Sequence, residues 1–373
     1  MQNMDTAWDT TFSPDYSFNT LETENFSGPI VLLCEEDIQT TRLMATFTSG
    51  FFIMYSFLGL FGNGLVLLVV IKYEDLKKVT NIFILNLAIS DMVFAFTLPF
   101  WAVYHVHHWI FGHVMCRLIS GMYFTGFYSC IMFLTAMSFE RYLTVVHAKA
   151  PKLKKRLWFA HLAAGIVWLF SLAGGIFEMI KSSALESFDG RILCEEHIQN
   201  NPELAIQLKN NMLNLVGYYL QNIFFFLVPL IIIIYCYCRI LQTVRMCRTQ
   251  KKFKVVKLIF AIVLAFFLCW APYNLTLLLL SLRELDIGFL TECHIYKNLT
   301  YSLIICRNIA CFHCCVNPLF YMCAQNFRQS LLNLLCRGSH SQCDRKVNQR
   351  SHESGECSKP ATREGQTLSM DLI

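Results

Sequence analysis

Apolar positions along this chain gather in seven long blocks, roughly 45–71, 81–104, 117–141, 157–177, 213–240, 255–282 and 299–322. A helix needs about 20 mostly apolar residues to cross about 30 Å of hydrocarbon, and each block has that reach. None shows the polar face of helical period that a helix at the surface of a soluble core needs. The pattern therefore predicts an all-α membrane protein, a seven-transmembrane helix bundle. Each block contains Gly, Pro, Ser or Asn, which survive in lipid only where neighbouring helices or side chains satisfy the freed backbone groups. After the seventh block, the run NFRQSLLNLLC (326–336) places apolar residues at Phe327, Leu331, Leu332, Leu334 and Leu335. That spacing predicts a short amphipathic helix lying on the membrane surface. The resulting division is a tail over 1–44, the bundle with its loops over 45–325, the surface helix over 326–336 and a polar, disordered tail over 337–373.

Composition supports this division. Hydrophobic residues make up 55% of the 373 positions and charged residues only 15%, against roughly a quarter charged in soluble domains. These values exclude a disordered, collagenous or nucleic-acid-binding chain. The net charge of +5 hides a segregation of sign. Before Arg42 there is no Lys or Arg, but there are acids at Asp5, Asp9, Asp15, Glu22, Glu24, Glu35, Glu36 and Asp37. Bases concentrate at Lys72, Lys77 and Lys78, at Lys149–Arg156, and through 239–257, where no acid occurs. Short loops rich in Lys and Arg face the cytosol, so the N-terminus is expected outside and the C-terminus inside. The first 40 residues carry neither a basic n-region nor a short apolar core, so no cleaved signal peptide is expected.

Of the 17 cysteines, Cys34, Cys116, Cys194 and Cys293 fall near the expected outer face, where disulfides persist. Four cysteines allow three pairings. Joining Cys116 to Cys194 would pin the loop after the fourth helix to the third. Joining Cys34 to Cys293 would tie the tail to the last outer loop.

Ionisable groups at membrane depth are costly and mark functional sites by default. Asp91 lies mid-membrane in the second helix, with Asn63 and Asn317 as its expected partners. Arg141 closes the third helix beside Glu140, an intrahelical pair whose release would make a two-state element. Pro272 in the sixth helix and Pro318 in the seventh remove backbone donors and are expected to kink those helices; Pro229 and Pro99 are expected to break the fifth and second. His105, His107, His108 and His113 surround Trp109, but no Cys or carboxylate lies within that run. His313, Cys314 and Cys315 are adjacent on one helix, so only some could face one point. No metal site and no cofactor is expected. No phosphate loop, nucleophile elbow or metalloprotease pair is present, so an enzyme is not expected either.

The motifs occur one set per helix and in order: Gly62–Asn63, LAISD ending at Asp91, Cys116, ERY at 140–142, Trp168, Pro229 with Tyr237, CWAP at 269–272 and NPLFY at 317–321. Together they resemble the rhodopsin-like G-protein-coupled receptors over roughly residues 34–336. Within that class TLPFW (97–101), ERYLTVVHA (140–148), the second outer cysteine pair and HCCVNPLFY (313–321) are similar to the chemokine receptors. The stretches 72–91, 257–277 and 301–315 are most similar to the XC (lymphotactin) type, which carries an arginine at Arg307 where most chemokine receptors carry glutamate. There are departures from the class: Glu140 for the usual aspartate, SLAGGIF (171–177) without the proline of many relatives, and Cys130 and His313 where many members have Ser and Asn. The last departure argues against a tight sodium site at Asp91.

The resemblance implies plasma-membrane localisation and a basic chemokine ligand caught by the acidic tail, with Asp15–Tyr16 as a sulfation site and Asn25 as a glycosylated sequon. It implies a ligand pocket lined by Trp101, Tyr123, Tyr273 and Arg307, with Arg307 meeting either Glu178 or an acidic or carbonyl group of the ligand. Ligand pressure would pass to Trp270, the sixth helix would pivot near Pro272, and a cleft lined by Arg141, Tyr237 and Tyr321 would receive a heterotrimeric G protein of the inhibitory class; Glu140, Tyr142, Asn317 and Pro318 would complete the switch and coupling residues. Calcium release and chemotaxis would follow. Cys336 is a palmitoylation candidate, the phosphorylated tail an arrestin site, and the basic 239–257 stretch a contact for anionic membrane lipid. A scavenging receptor without G-protein signalling is the alternative, and a secondary transporter a remote one, since the two halves show no internal repeat.

Overall fold

The computed structural model describes residues 38–147, 153–186, 190–196, 212, 215–247, 253–283, 292–323 and 325–336. The helices are α1 (Ile38–Tyr73), α2 (Val79–Val106), α3 (Gly112–Val146), α4 (Leu153–Lys181), α5 (Val228–Cys247), α6 (Phe253–Arg283), α7 (Cys293–Cys311), α8 (His313–Cys323) and α9 (Gln325–Cys336). Seven of the described segments are long and apolar enough to span a bilayer; the fifth, Leu215–Val244, enters α5 through a π-helical turn, and the seventh, His294–Met322, joins α7 to α8. The helix after the seventh span is α9. Its Phe327 is buried against Tyr321, while Leu331 and Leu334 pack on the core.

The bundle is organised around α3, which packs on α2, α4 and α5. Close approach depends on glycine. A Cβ on Gly126 would lie 2.8 Å from the Phe94 backbone nitrogen, and one on Gly175 would strike Thr125. Small residues of this kind let helices pack backbone to backbone in lipid, where apolar burial gives no driving force. Phe57, Phe61, Leu169, Ile231 and Leu268 point outward and are more than 60% exposed, as a lipid-facing surface requires. Asn63, Asp91, Ser129, Ser138 and Asn317 are buried inside.

The prolines act unequally. α2 runs unbroken past Pro99 and α6 past Pro272, contrary to the break expected in the second helix. In α2 the Thr97 hydroxyl back-bonds to Phe94 O at 2.7 Å. The fifth span answers Pro229 with the π turn Ile223–Leu227, which contains Phe225, the residue whose carbonyl loses its donor. Proline also frees the carbonyl four residues earlier in the seventh span. For Pro318 that residue is Cys314, and Asn63 Nδ2 donates to its oxygen at 2.9 Å. A Cβ on Gly62 would sit 2.9 Å from the Pro318 ring, so Gly62–Asn63 and Asn317–Pro318 form one interlocking joint. The interruption itself falls earlier in the span, at Phe312, where Cys315 N–H closes a tight turn on Phe312 O at 3.0 Å.

A two-stranded antiparallel hairpin follows α4: β1 (Ser182–Glu186) pairs with β2 (Ile192–Glu196), with Ala184 opposite Cys194. Gly190 has φ +78°, a conformation glycine reaches without strain. In the sequence the Asp189–Gly190 dipeptide between the two strands is a turn signal.

Candidate functional site

Three stations lie along the bundle. At one end the Cys116–Cys194 disulfide, with Cα atoms 5.7 Å apart, fastens β2 to the start of α3. Trp109 is fully buried beside it. Its backbone N–H donates to Ile192 O and its indole N–H to Gly112 O, both at 2.8 Å. Two of the histidines around Trp109 have protein partners: His113 Nδ1 accepts the Ala184 N–H at 3.2 Å, and His105 packs edge-on against Phe52.

Trp101, Tyr123 and Tyr273 face one region at this end. Trp101 stands edge-on to Tyr123 with centroids 6.3 Å apart, and Tyr273 edge-on to Trp270 at 5.6 Å. The Tyr123 hydroxyl contacts Cys311 Sγ at 3.6 Å. Arg307, one turn before Cys311, lies within electrostatic reach of Tyr123, Cys311 and His105. Its Nε and the Trp101 indole N–H are both buried without a hydrogen-bond partner. Unmade donors of this kind cost about 1–3 kcal/mol each, so the region is poised for an acceptor.

Of the two partners expected for Arg307, Glu178 is paired with Lys181 instead. The two side chains are almost fully buried and meet at 2.9 Å. Tyr128 donates to Glu178 at 3.3 Å, and the Lys181 ammonium lies 5.5 Å and 5.6 Å from the Phe177 and Tyr218 ring centroids. Lys181 carried no sequence signal beyond its position three residues after Glu178.

The middle station centres on Asp91. Asn317 Nδ2 donates to Oδ2 at 2.6 Å, and the Cys130 thiol to Oδ1 at 3.5 Å. His313 Nε2 stands 3.7 Å from the same Oδ1. Asn63, expected on Asp91, instead donates to Gly59 O and Cys314 O. Cys314 and Cys315 direct their thiols to the Tyr55 carbonyl. Above it, Trp270 stacks on Phe127 at 3.8 Å and lies 5.3 Å from the His313 ring.

The third station is the end of α3. Arg141 Nε lies 3.4 Å from Glu140 Oε2, and Arg141 Nη2 donates to the Thr80 hydroxyl on α2. Glu140 is held further by Arg156 from α4 at 3.1 Å and by the Thr144 hydroxyl at 3.0 Å. Arg156 and Thr80 are partners that the ERY motif alone did not disclose. Tyr142 pairs with His147 Nε2 at 3.1 Å, Tyr237 packs on Phe260, and Tyr321 is buried beside Phe327. Asp15, Tyr16, Asn25 and Cys34 lie outside the described residues, as do the side chains of Cys293 and Cys336.

The family described as 7 transmembrane receptor (rhodopsin family) matches residues 62–321. Human chemokine XC receptor 1 is 38% identical over 307 residues, covering 81% of this chain and 84% of the relative. Human C-C chemokine receptor type 4 is 36% identical, covering 76% and 77%, and C-C chemokine receptor type 3 of Cavia porcellus is 35% identical, covering 80% and 81%. The chain belongs to the chemokine receptors of the rhodopsin family. It is a multi-pass receptor and not an enzyme, and its three stations fall on the motifs that carry the family resemblance.

Proposed function

We propose that this receptor binds an XC-type chemokine outside the cell and passes the signal to a heterotrimeric G protein of the inhibitory class, raising cytosolic calcium and driving chemotaxis. The observation that carries the ligand class is Arg307, a cation at membrane depth whose Nε is buried and unpaired beside Trp101, Tyr123 and Tyr273. A ligand carboxylate or carbonyl satisfies it; a ligand ammonium does not. Support for the orientation comes from the Cys116–Cys194 bridge, since disulfides persist on the oxidising side, and from the basic loops. The acidic tail with Asp15 and Tyr16 captures the basic ligand, raising the on-rate and selecting the partner. Arrestin engages the phosphorylated C-terminal tail, and the basic 239–257 stretch rests on anionic lipid.

A panel of chemokines applied to transfected cells, read by calcium or cyclic-nucleotide response, tests the assignment. An XC-type ligand gives the response and C-C ligands give little. Arg307→Glu abolishes it while surface expression persists; unchanged potency removes Arg307 from the ligand site. Nucleotide exchange on purified G protein separates signalling from scavenging.

A further inference from the structure

Three helices bring soft and hard donors to one buried point. Asp91 from α2, Cys130 from α3 and His313 from α8 are each at most 1% exposed, and their donor atoms all lie within 4.8 Å of one another. The two carboxylate oxygens of Asp91 have different neighbours. Oδ2 is taken by Asn317, leaving Oδ1 toward Cys130 and His313.

The imidazole decides what this cluster is built for. His313 Nδ1 lies 2.8 Å from Ala310 O. A carbonyl only accepts, so Nδ1 carries the proton and a neutral ring turns its Nε2 lone pair toward Asp91. Nε2 has no hydrogen-bond partner. Two electron pairs, on Nε2 and on Oδ1, thus face each other across 3.7 Å between fully buried side chains. Such a face-off is repulsive unless a cation or a shared proton sits between them. A histidine whose other nitrogen is fixed by a backbone carbonyl is also the usual arrangement of a metal-binding imidazole.

Distances and charge suit a thiophilic divalent ion. Zinc bonds of about 2.0–2.2 Å to N and O and about 2.3 Å to S set tetrahedral edges of about 3.4–3.6 Å. The two edges at Oδ1 measure 3.7 Å and 3.5 Å, and the third, between Cys130 Sγ and His313 Nε2, lies within 4.8 Å, so the ion would draw those two ligands together. A divalent ion with one thiolate and one carboxylate is neutral overall, which hydrocarbon tolerates far better than a bare Asp91. Sulfur and imidazole favour zinc over sodium, magnesium or calcium.

We propose that Asp91, Cys130 and His313 form a zinc site that clamps the second, third and seventh spans together. The ion displaces the Cys130 thiol proton, which leaves to solvent as sulfur bonds to the metal; nothing is oxidised. Three protein ligands leave a fourth position for water, the arrangement of an exchangeable ion rather than a sealed structural one. Because the His313 ring also packs on Trp270, Phe94 and Phe266, an ion held there fixes the seat of the Trp270 indole.

The purified full-length protein in detergent, stripped of metal and titrated with zinc or cadmium, tests this independently of any chemokine response. Zinc at micromolar concentration raises the thermal midpoint of the wild type by several degrees, while sodium at equal ionic strength does not. Cadmium gives a sulfur-to-metal charge-transfer band, and the difference between wild type and Cys130→Ser isolates the band owed to Cys130. Cys130→Ser and His313→Asn each lose the zinc stabilisation. If either fails to fold, Cys130→Ala and His313→Gln are read the same way. Equal stabilisation of wild type and variants places the ion elsewhere and overturns the proposal. Absence of any zinc shift in the wild type also overturns it and leaves a shared proton as the partner of the two lone pairs.

Discussion

Asn63 shows how one side chain can repair a break made elsewhere in the chain. Pro318 has no N–H for the Cys314 carbonyl, and Asn63 supplies the missing donor from a different helix at 2.9 Å. Asn63→Ala leaves that carbonyl buried and unpaired. Hydrogen bonds in membrane proteins average about 0.6 kcal/mol by double-mutant cycles, but an orphaned acceptor costs about 1–3 kcal/mol. The expected loss is therefore about 1–2 kcal/mol, seen as a lower thermal midpoint of the purified receptor. Pro318→Ala restores the local donor. The double variant should fall short of the sum of the two single losses, and strict additivity would show that the two residues do not share the Cys314 oxygen. The pairing was half legible beforehand. Asn63 and Asn317 are recognisable as polar residues in apolar blocks, but linear sequence does not say which acceptor each meets. Asp91 and its neighbours show the same limit: Cys130 and His313 stand out as departures from the class, yet only folding shows that they converge on one carboxylate oxygen.

The helices were legible because the bilayer leaves few choices: about 20 apolar residues with satisfied backbone make a span. Irregularities within them were not. Pro99 and Pro272 leave their helices continuous, Pro229 is met by a π turn, and the interruption in the seventh span falls at Phe312 rather than at Pro318. A proline fixes which hydrogen bond is lost, while the neighbours decide how the helix accommodates the loss. The hairpin after α4 lay hidden in a loop because its strands are short, although the sequence between them contains the turn-favouring dipeptide Asp189–Gly190. Lys181 and Glu178 sit where α4 gives way to β1, and the Ser182 carbonyl there accepts from Arg117 Nε on α3 at 3.3 Å. Breaking one half of a buried ion pair costs about 3–5 kcal/mol, whereas replacing both halves is often neutral. Lys181→Met and Glu178→Gln should each cut folded surface receptor sharply. The combined variant should recover most of it, measured as antibody-accessible protein and as thermal midpoint. A double variant as poor as either single one would mean that the charges hold the helix end by something other than each other.

Across the bundle, the three stations behave as one device only if its two ends are coupled through packed contacts. The chain of rings from Tyr123 through Phe94 to Trp270 and His313 is continuous, with centroid separations of 4.6, 6.4 and 5.3 Å. A packed network conveys a signal when it biases an element with two arrangements, and the end of α3 has the parts of such an element. Arg141 is held to Glu140 and Thr80, and Glu140 in turn to Arg156, so α2, α3 and α4 are cross-tied there. Glu140→Gln keeps the size and the oxygen that accepts from Thr144 but removes the charge that holds both arginines. If this tie stabilises the closed arrangement, its loss shifts the population toward the open one without any ligand, about tenfold for each 1.4 kcal/mol of preference removed. Ligand-independent nucleotide exchange on purified G protein should then rise several-fold, with the chemokine concentration for half response falling in step, because an equilibrium already shifted needs less from the ligand. Thr80→Val, which removes one neutral acceptor, should move both quantities in the same direction by less. Basal exchange left unchanged by Glu140→Gln would mean that the arginine is restrained by packing alone, and the switch would have to be sought in the Trp270 seat instead.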